Sequence, residues 1–248
     1  MILSSTIEQD SLCMPLIAQF IMSCRALKCV TNLVEAAIIF TSMTKPSEEG
    51  KIWEWRAFGR ISDALAPKVR AYPVRFGLID IDGEDIYLVS RHNDQNVKFR
   101  KYPGGWVLKF KLLVETKRGP FELYNERPEF TFQLPVSLER LTEAAGLLGV
   151  ELPEAGFSVE SFSKEDFVKA LAEATPPVAE IRVAKRRSQF QFENGWLELA
   201  EVKFQASTVQ SISVHSRELE VVKKMLKSLQ PGNELEAMNY IEACRRWG

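Results

Sequence analysis

Cations recur at alternate positions in two segments of this chain. Lys98 and Arg100, then Lys109 and Lys111, fall within NVKFRKYPGGWVLKFK, from Asn96 to Lys111; Lys185 and Arg187 fall within EIRVAKRRSQFQF, from Glu180 to Phe192. A third segment, KIWEWRAF from Lys51 to Phe58, carries Glu54 and Arg56 two residues apart. On a β-strand, residues two apart share a face, so each segment offers a row of charge. Like charges in neighbouring rows repel, and such a face needs solvent, carboxylates or an anionic ligand. Taken alone, the rows read most simply as the wet side of an ordinary antiparallel sheet; the other reading is a surface that binds an anion. For Glu54 and Arg56 taken alone, a solvated pair is the simpler account.

The elements that must position these rows are strands joined by tight turns. Tyr102-Pro103-Gly104-Gly105 supplies a turn, with Pro presetting φ and Gly permitting positive φ. Val97 and Phe99 alternate with the first cationic row, and Leu108, Phe110 and Leu112 with the second. Asn194-Gly195 is a second hairpin turn, between Glu180–Phe192 and a return arm from Trp196 to Ala206. On that arm Leu197, Leu199, Glu201 and Lys203 share one face. In KIWEWRAF the face of Trp53, Trp55 and Ala57 is core. Val74 to Ser90 reads as two strands joined at Asp82-Gly83, Phe121 to Leu134 as a strand with Pro128 at its edge or start, and Val209 to Ser216 as a last strand.

Helices are expected at Ser62–Ala71, before Pro73; at Ser137–Leu148, stopped by Gly149; and at Ser163–Ala174, opened by the capping pattern Ser163-x-x-Asp166. Arg217–Leu229 is amphipathic, with Leu219, Val222, Met225 and Leu229 inward, and Pro231-Gly232 separates it from a final helix, Glu234–Trp247. Strands then helix occur twice in succession, and each half contains a hairpin with a cationic arm.

The 248 residues are 46% hydrophobic and 26% charged with a net charge of -1, so no broad electrostatic footprint points to nucleic acid. Cysteines at 13, 24, 29 and 244 include no Cys-x-x-Cys pair, and His92 and His215 are the only histidines. That argues against a zinc site or a disulfide framework and fits a reducing cytoplasm. The apolar stretch from Leu12 to Cys24 is interrupted by Pro15 and Gln19, too short for a membrane span, and Glu8 and Asp10 precede it where a signal peptide would be basic. Residues 1–45 are therefore expected to be an extension, disordered or a start-site artefact, with Met43 as a second start. The domain proper is expected over 51–230, with 231–248 forming a C-terminal helix packed on it.

The order of these segments resembles the CYTH, or triphosphate tunnel, superfamily. Its opening Glu-x-Glu-x-Lys strand is matched by Ile52, Glu54 and Arg56, with Ile52 in place of the first Glu. Asp85-Ile86-Tyr87 matches its Asp-x-Tyr, Lys98-Phe99-Arg100 its basic strand, and Lys109, beside Lys111, the phosphate-binding Lys that follows. Arg127 and Glu129 match Arg-x-Glu-x-Glu, with Thr131 for the last Glu; Lys185 and Arg187 match the second basic strand; Glu201-Val202 matches the next acidic position. The closing Glu-x-Glu falls on Ser213 and His215. The resemblance covers about Lys51 to Leu229.

It implies an α+β fold, an antiparallel eight-stranded β-barrel of the triphosphate tunnel type with flanking helices. It also implies phosphate binding by Arg56, Lys98, Arg100, Lys109, Lys185 and Arg187. Glu54, Glu129 and Glu201 are left as the candidate ligands for Mg²⁺ or Mn²⁺, which prefer oxygen donors. The expected partner is a phosphorylated small molecule or polyphosphate, with neither nucleic acid nor membrane. Metal-dependent triphosphate hydrolysis is put in doubt by Ile52, Ser213 and His215. His215 is expected to be a surface or capping residue, and His92 to lie in a loop. The contrasting expectation is a catalytically inactive scaffold or interaction module on the same fold, whose charged faces are solvated ion pairs.

Overall fold

Alternation of apolar and charged residues, carried through eight strands, closes the sheet on itself. The computed structural model describes residues 50–248 except 118, 119, 154–156 and 158. The expectation for residues 1–45 lies outside them. We number the barrel strands β1 (Lys51–Gly59), β2 (Ile81–Val89), β3 (Asn96–Tyr102), β4 (Gly105–Lys117), β5 (Phe121–Asn125), β6 (Ala179–Phe192), β7 (Gly195–Lys203) and β8 (Thr208–Ser216). All pairings are antiparallel, in the order β8-β7-β6-β2-β3-β4-β5-β1, and β1 pairs β8 to complete the ring. This is the closed, eight-stranded antiparallel barrel that the resemblance implies.

Among the described residues five helices flank it: α1 (Leu65–Arg70), α2 (Leu138–Leu148), α3 (Lys164–Ala172), α4 (Leu219–Leu229) and α5 (Tyr240–Trp247). Ser163 caps α3 by accepting from the Asp166 amide, and Gly149 ends α2 at φ 67°, as their sequences foretell. Among the described residues no helix is long and apolar enough to cross a membrane.

The apolar faces point outward and are buried beneath helices. Ile86, Leu88, Val97, Phe99, Leu108 and Phe110 pack under α2 and α3, while Trp53, Trp55, Leu197, Leu199, Ile212 and Val214 pack under α1 and α4. The opposite faces line the interior. The hairpin register sets Lys98 against Lys109 and Asn96 against Lys111, so both cationic rows face inward together.

Three expectations about elements change. Residues 74–80 form an irregular segment beside β6, and Asp82-Gly83 lies inside β2, opposite Arg186 and Lys185. A long partner strand holds that dipeptide extended where an isolated pair would turn. After β5 the chain makes a 3-10 turn at Pro128–Phe130 before a short strand at Thr131–Gln133. The final helix begins only at Tyr240, with Asn239 and Glu242 forming a capping box. The preceding Leu235–Ala237 is a strand that takes over the edge of β1 where β5 ends.

Phe167 on α3 meets Phe99 edge to face at 5.4 Å, and both are fully buried. Phe167→Ala should destabilise the fold by about 3–5 kcal/mol in urea unfolding; a loss under about 1 kcal/mol would mean that α3 contributes little to the barrel.

Candidate functional site

The interior is a network of charge. Strand alternation aims Glu54 and Arg56 inward from β1, Asp85 and Tyr87 from β2, Lys98 and Arg100 from β3, and Lys109 and Lys111 from β4. Glu122 and Tyr124 follow from β5, Lys185, Arg187 and Gln189 from β6, Glu198 from β7, and Ser213 and His215 from β8. Glu54 and Arg56 are 4% and 6% exposed, which corrects the solvated-pair reading.

Asp85 is the centre of one cluster. Arg100 donates to it through Nε at 2.8 Å and through a terminal nitrogen at 3.0 Å. Lys185 Nζ donates to Asp85 Oδ2 and to the Tyr87 hydroxyl, both at 2.7 Å. Lys98 Nζ lies 3.7 Å from the same Oδ2. Three cations thus share one carboxylate, and Lys109 faces Lys98 across the hairpin. Burial drives Lys98 well below the usual lysine range, only partly opposed by Asp85, and pushes Lys185 down to about 8. Burial would raise Asp85 too, but Arg100 and Lys185 hold it well below the carboxylate range.

The second cluster is built on Glu54 and Glu198. Arg56 Nε donates to Glu54 at 2.7 Å, and its two terminal nitrogens stand 3.3 Å from Glu198. Gln189 donates to Glu198 at 2.8 Å, and Arg187 lies 3.8 Å from it. Lys111 bridges Glu54 at 2.5 Å and Glu126 at 2.8 Å. His215 is buried in the barrel and not at the surface as expected. Its ring stacks on Trp196, its Nε2 meets Ser213 Oγ at 2.7 Å, and its Nδ1 lies 3.5 Å from Glu54. Burial lowers His215 to about 4, so the imidazole is neutral near pH 7. His92 is exposed in a loop.

All six residues expected to contact phosphate, Arg56, Lys98, Arg100, Lys109, Lys185 and Arg187, therefore meet inside one barrel. The expected metal ligands do not. Glu129 sits exposed on the 3-10 turn and Glu201 exposed on the outer face of β7, leaving Glu54 alone inside. Alternation had already grouped Glu201 with Leu197 and Leu199, whose face is turned outward; the inward carboxylate of β7 is Glu198. Glu122 on β5, Glu126 and Asp85 complete the interior acidic set. Their spacing was visible in FELYN and Asp85-Ile86-Tyr87, but not their meeting with the cations.

This donor set does not fit Mg²⁺ or Mn²⁺. Both Glu54 oxygens, both Asp85 oxygens and both Glu198 oxygens already accept from Arg, Lys or Gln nitrogens. Among the described residues no three His, Cys, Asp or Glu side chains stand together as a metal cluster.

One end of the barrel is closed by the C-terminal segment. Phe58, Tyr87, Val89, Val183, Ala200 and Val202 continue the inward rows and pack against Met238, Tyr240, Ile241 and Cys244. Asn239 donates to Glu122 at 2.7 Å, and Tyr124 donates to its other oxygen at 2.9 Å. Burial raises Glu122 to about 7, reinforced by Glu54 directly opposite it and opposed by the two hydrogen bonds.

That shift has a definite sign. Folded Glu122 keeps its proton up to about 7, whereas an unfolded glutamate loses it near about 4.3. Its contribution to stability is thus lost as pH rises through that window. Glu122→Gln should melt progressively higher relative to the unmodified protein between about pH 4.5 and 7, with a constant difference below about pH 4. A difference in thermal midpoint that stays flat across the whole range would show that Glu122 is not protonated in the fold.

No family model matches the sequence, and no curated protein matches it. Solved structures of similar fold include an adenylate cyclase candidate from Bacillus halodurans, 14% identical, covering 78% of this chain and 98% of that one, TM-score 0.45. A Hippeastrum adenylyl cyclase candidate, described as having a dominant triphosphatase activity, is 14% identical over 79% of this chain and 95% of that one, TM-score 0.41. The Mimivirus capping enzyme triphosphatase is 8% identical over 81% and 96% respectively, TM-score 0.41.

Proposed function

We propose that the interior of this triphosphate-tunnel-type barrel binds a phosphorylated anion, a nucleotide, triphosphate or polyphosphate, by direct contact with its cations and without a bridging divalent metal. The observation that carries this reading is the sharing of Asp85 by Lys98, Arg100 and Lys185, with Lys109 facing them. Lys109 also lies 3.8 Å from Glu126, which Lys111 shares, so the group still holds more cations than carboxylates. In a medium of low effective dielectric the surplus positive charge is costly, and a phosphate chain would offset it.

Arg100, Lys109 and Arg187 are half-buried, so they combine inward direction with residual access to solvent. Guanidinium groups bind phosphate oxygens in a bidentate fork, and ammonium groups add point charge. A bound anion would also favour the charged forms of Lys98 and Lys185, which burial disfavours. Hydrolysis by carboxylate-held Mg²⁺ or Mn²⁺ lacks its donor set here, because the inward carboxylates are engaged by the protein's own cations. The scaffold alternative differs in one measurable respect: it expects no response to anions.

In the presence of a chelator, tripolyphosphate at a hundredfold excess over Kd should stabilise the protein by about 2.7 kcal/mol in thermal unfolding. Lys109→Ala and Arg187→Ala should each weaken binding about tenfold, since a charge-assisted hydrogen bond is worth about 1.5–3 kcal/mol. No shift with tripolyphosphate, ATP or pyrophosphate would favour the scaffold; a shift that requires Mg²⁺ or Mn²⁺ would overturn the metal-free reading.

A further inference from the structure

The closed end of the barrel places one polar atom where nothing in the fold satisfies it. Tyr240, at the first turn of α5, is 7% exposed, and its hydroxyl has no hydrogen-bond partner among the described residues. Its ring is held from several sides. Tyr87 stacks on it at 5.3 Å, Phe58 meets it edge-on at 5.2 Å, Lys185 Nζ lies 3.9 Å from its centroid, and the Arg56 guanidinium 4.5 Å. Arg56, Glu198, Asp85 and Arg187 are the charges that act on the hydroxyl, which therefore belongs to the charged interior and not to the apolar end. Leaving a buried hydroxyl unpaired is unfavourable, and one held beside Lys185 and Arg56 gains from a ligand that accepts from it.

We infer that Tyr240 is a ligand-binding residue supplied by the C-terminal helix, its hydroxyl donating to the terminal phosphoryl group of the bound phosphate chain. This rests on the phosphate-binding reading above. Behind Tyr240 the barrel is filled by Phe58, Val183, Val202, Phe204 and Trp247, which offer a phosphate chain neither charge nor hydrogen bonds. A phosphate chain that reaches Tyr240 from Arg100, Lys109 and Arg187 gains nothing from going further among these apolar residues. The site takes molecules with a free phosphate end: short inorganic polyphosphates and nucleoside triphosphates. It rejects chains blocked at both ends.

Tyr240→Phe in the full-length protein separates this role from a structural one, because the ring and its stacking remain while the hydroxyl is lost. Its thermal midpoint without ligand should be unchanged or higher. Its affinity for tripolyphosphate by titration calorimetry should fall about tenfold, the loss expected for one hydrogen bond to a charged group. A triphosphate bearing adenosine at both ends should bind the unmodified protein at least about tenfold more weakly than ATP. Unchanged tripolyphosphate affinity in Tyr240→Phe, or equal binding of ATP and the doubly capped triphosphate, would overturn this inference and leave the phosphate-binding reading standing. No binding of any of these anions by the unmodified protein would remove both.

Discussion

A single carboxylate, Asp85, holds the centre of the barrel together. Arg100, Lys185 and Lys98 all converge on it, from β3 and β6 on either side of its own strand. Without it three cations would face one another in a space largely closed to water. Removing one partner of such a buried network typically costs about 3–5 kcal/mol, because the remaining charges stay desolvated.

Stability comes from the other side of the sheet. The outward faces of the strands bury aromatic and branched side chains beneath α1 to α4, and each large apolar residue removed from water is worth about 1.5–3 kcal/mol. The usual sheet with a wet face is thus turned inside out. The apolar layer lies between barrel and helices, which leaves the interior free to carry charge. The C-terminal segment then replaces an open end with an apolar stopper, joined to the polar interior through Asn239 and Tyr240.

The interior acids serve as counter-ions. Glu54, Glu198 and Asp85 are each engaged by protein nitrogens, and the closing carboxylates of the related pattern are replaced by Ser213 and His215, which satisfy each other. The interior thus keeps its cations while its acids are committed to the protein's own nitrogens.

The amino-acid sequence alone determined most of the strands and helices. Alternation, the turns at Pro103-Gly104 and Asn194-Gly195, and the caps at Ser163 and Gly149 act over a few residues, so their outcome is written locally. Local alternation also placed Lys98, Arg100, Lys109, Lys111, Lys185 and Arg187 on shared faces. It also set Glu201 on one face with Leu197 and Leu199, the outward face, whereas the family resemblance made Glu201 a metal ligand. What only the tertiary structure decided is which face is inside. An alternating row looks the same whether it faces solvent or a closed chamber, and closure depends on the pairing of β1 with β8, some 150 residues apart in sequence. That closure buried Glu54 and Arg56, while other long-range contacts held Asp82-Gly83 extended against β6 and brought Tyr240 beside Arg56 and Lys185. None of these is fixed by neighbours in the chain, because burial and charge pairing are properties of the closed barrel.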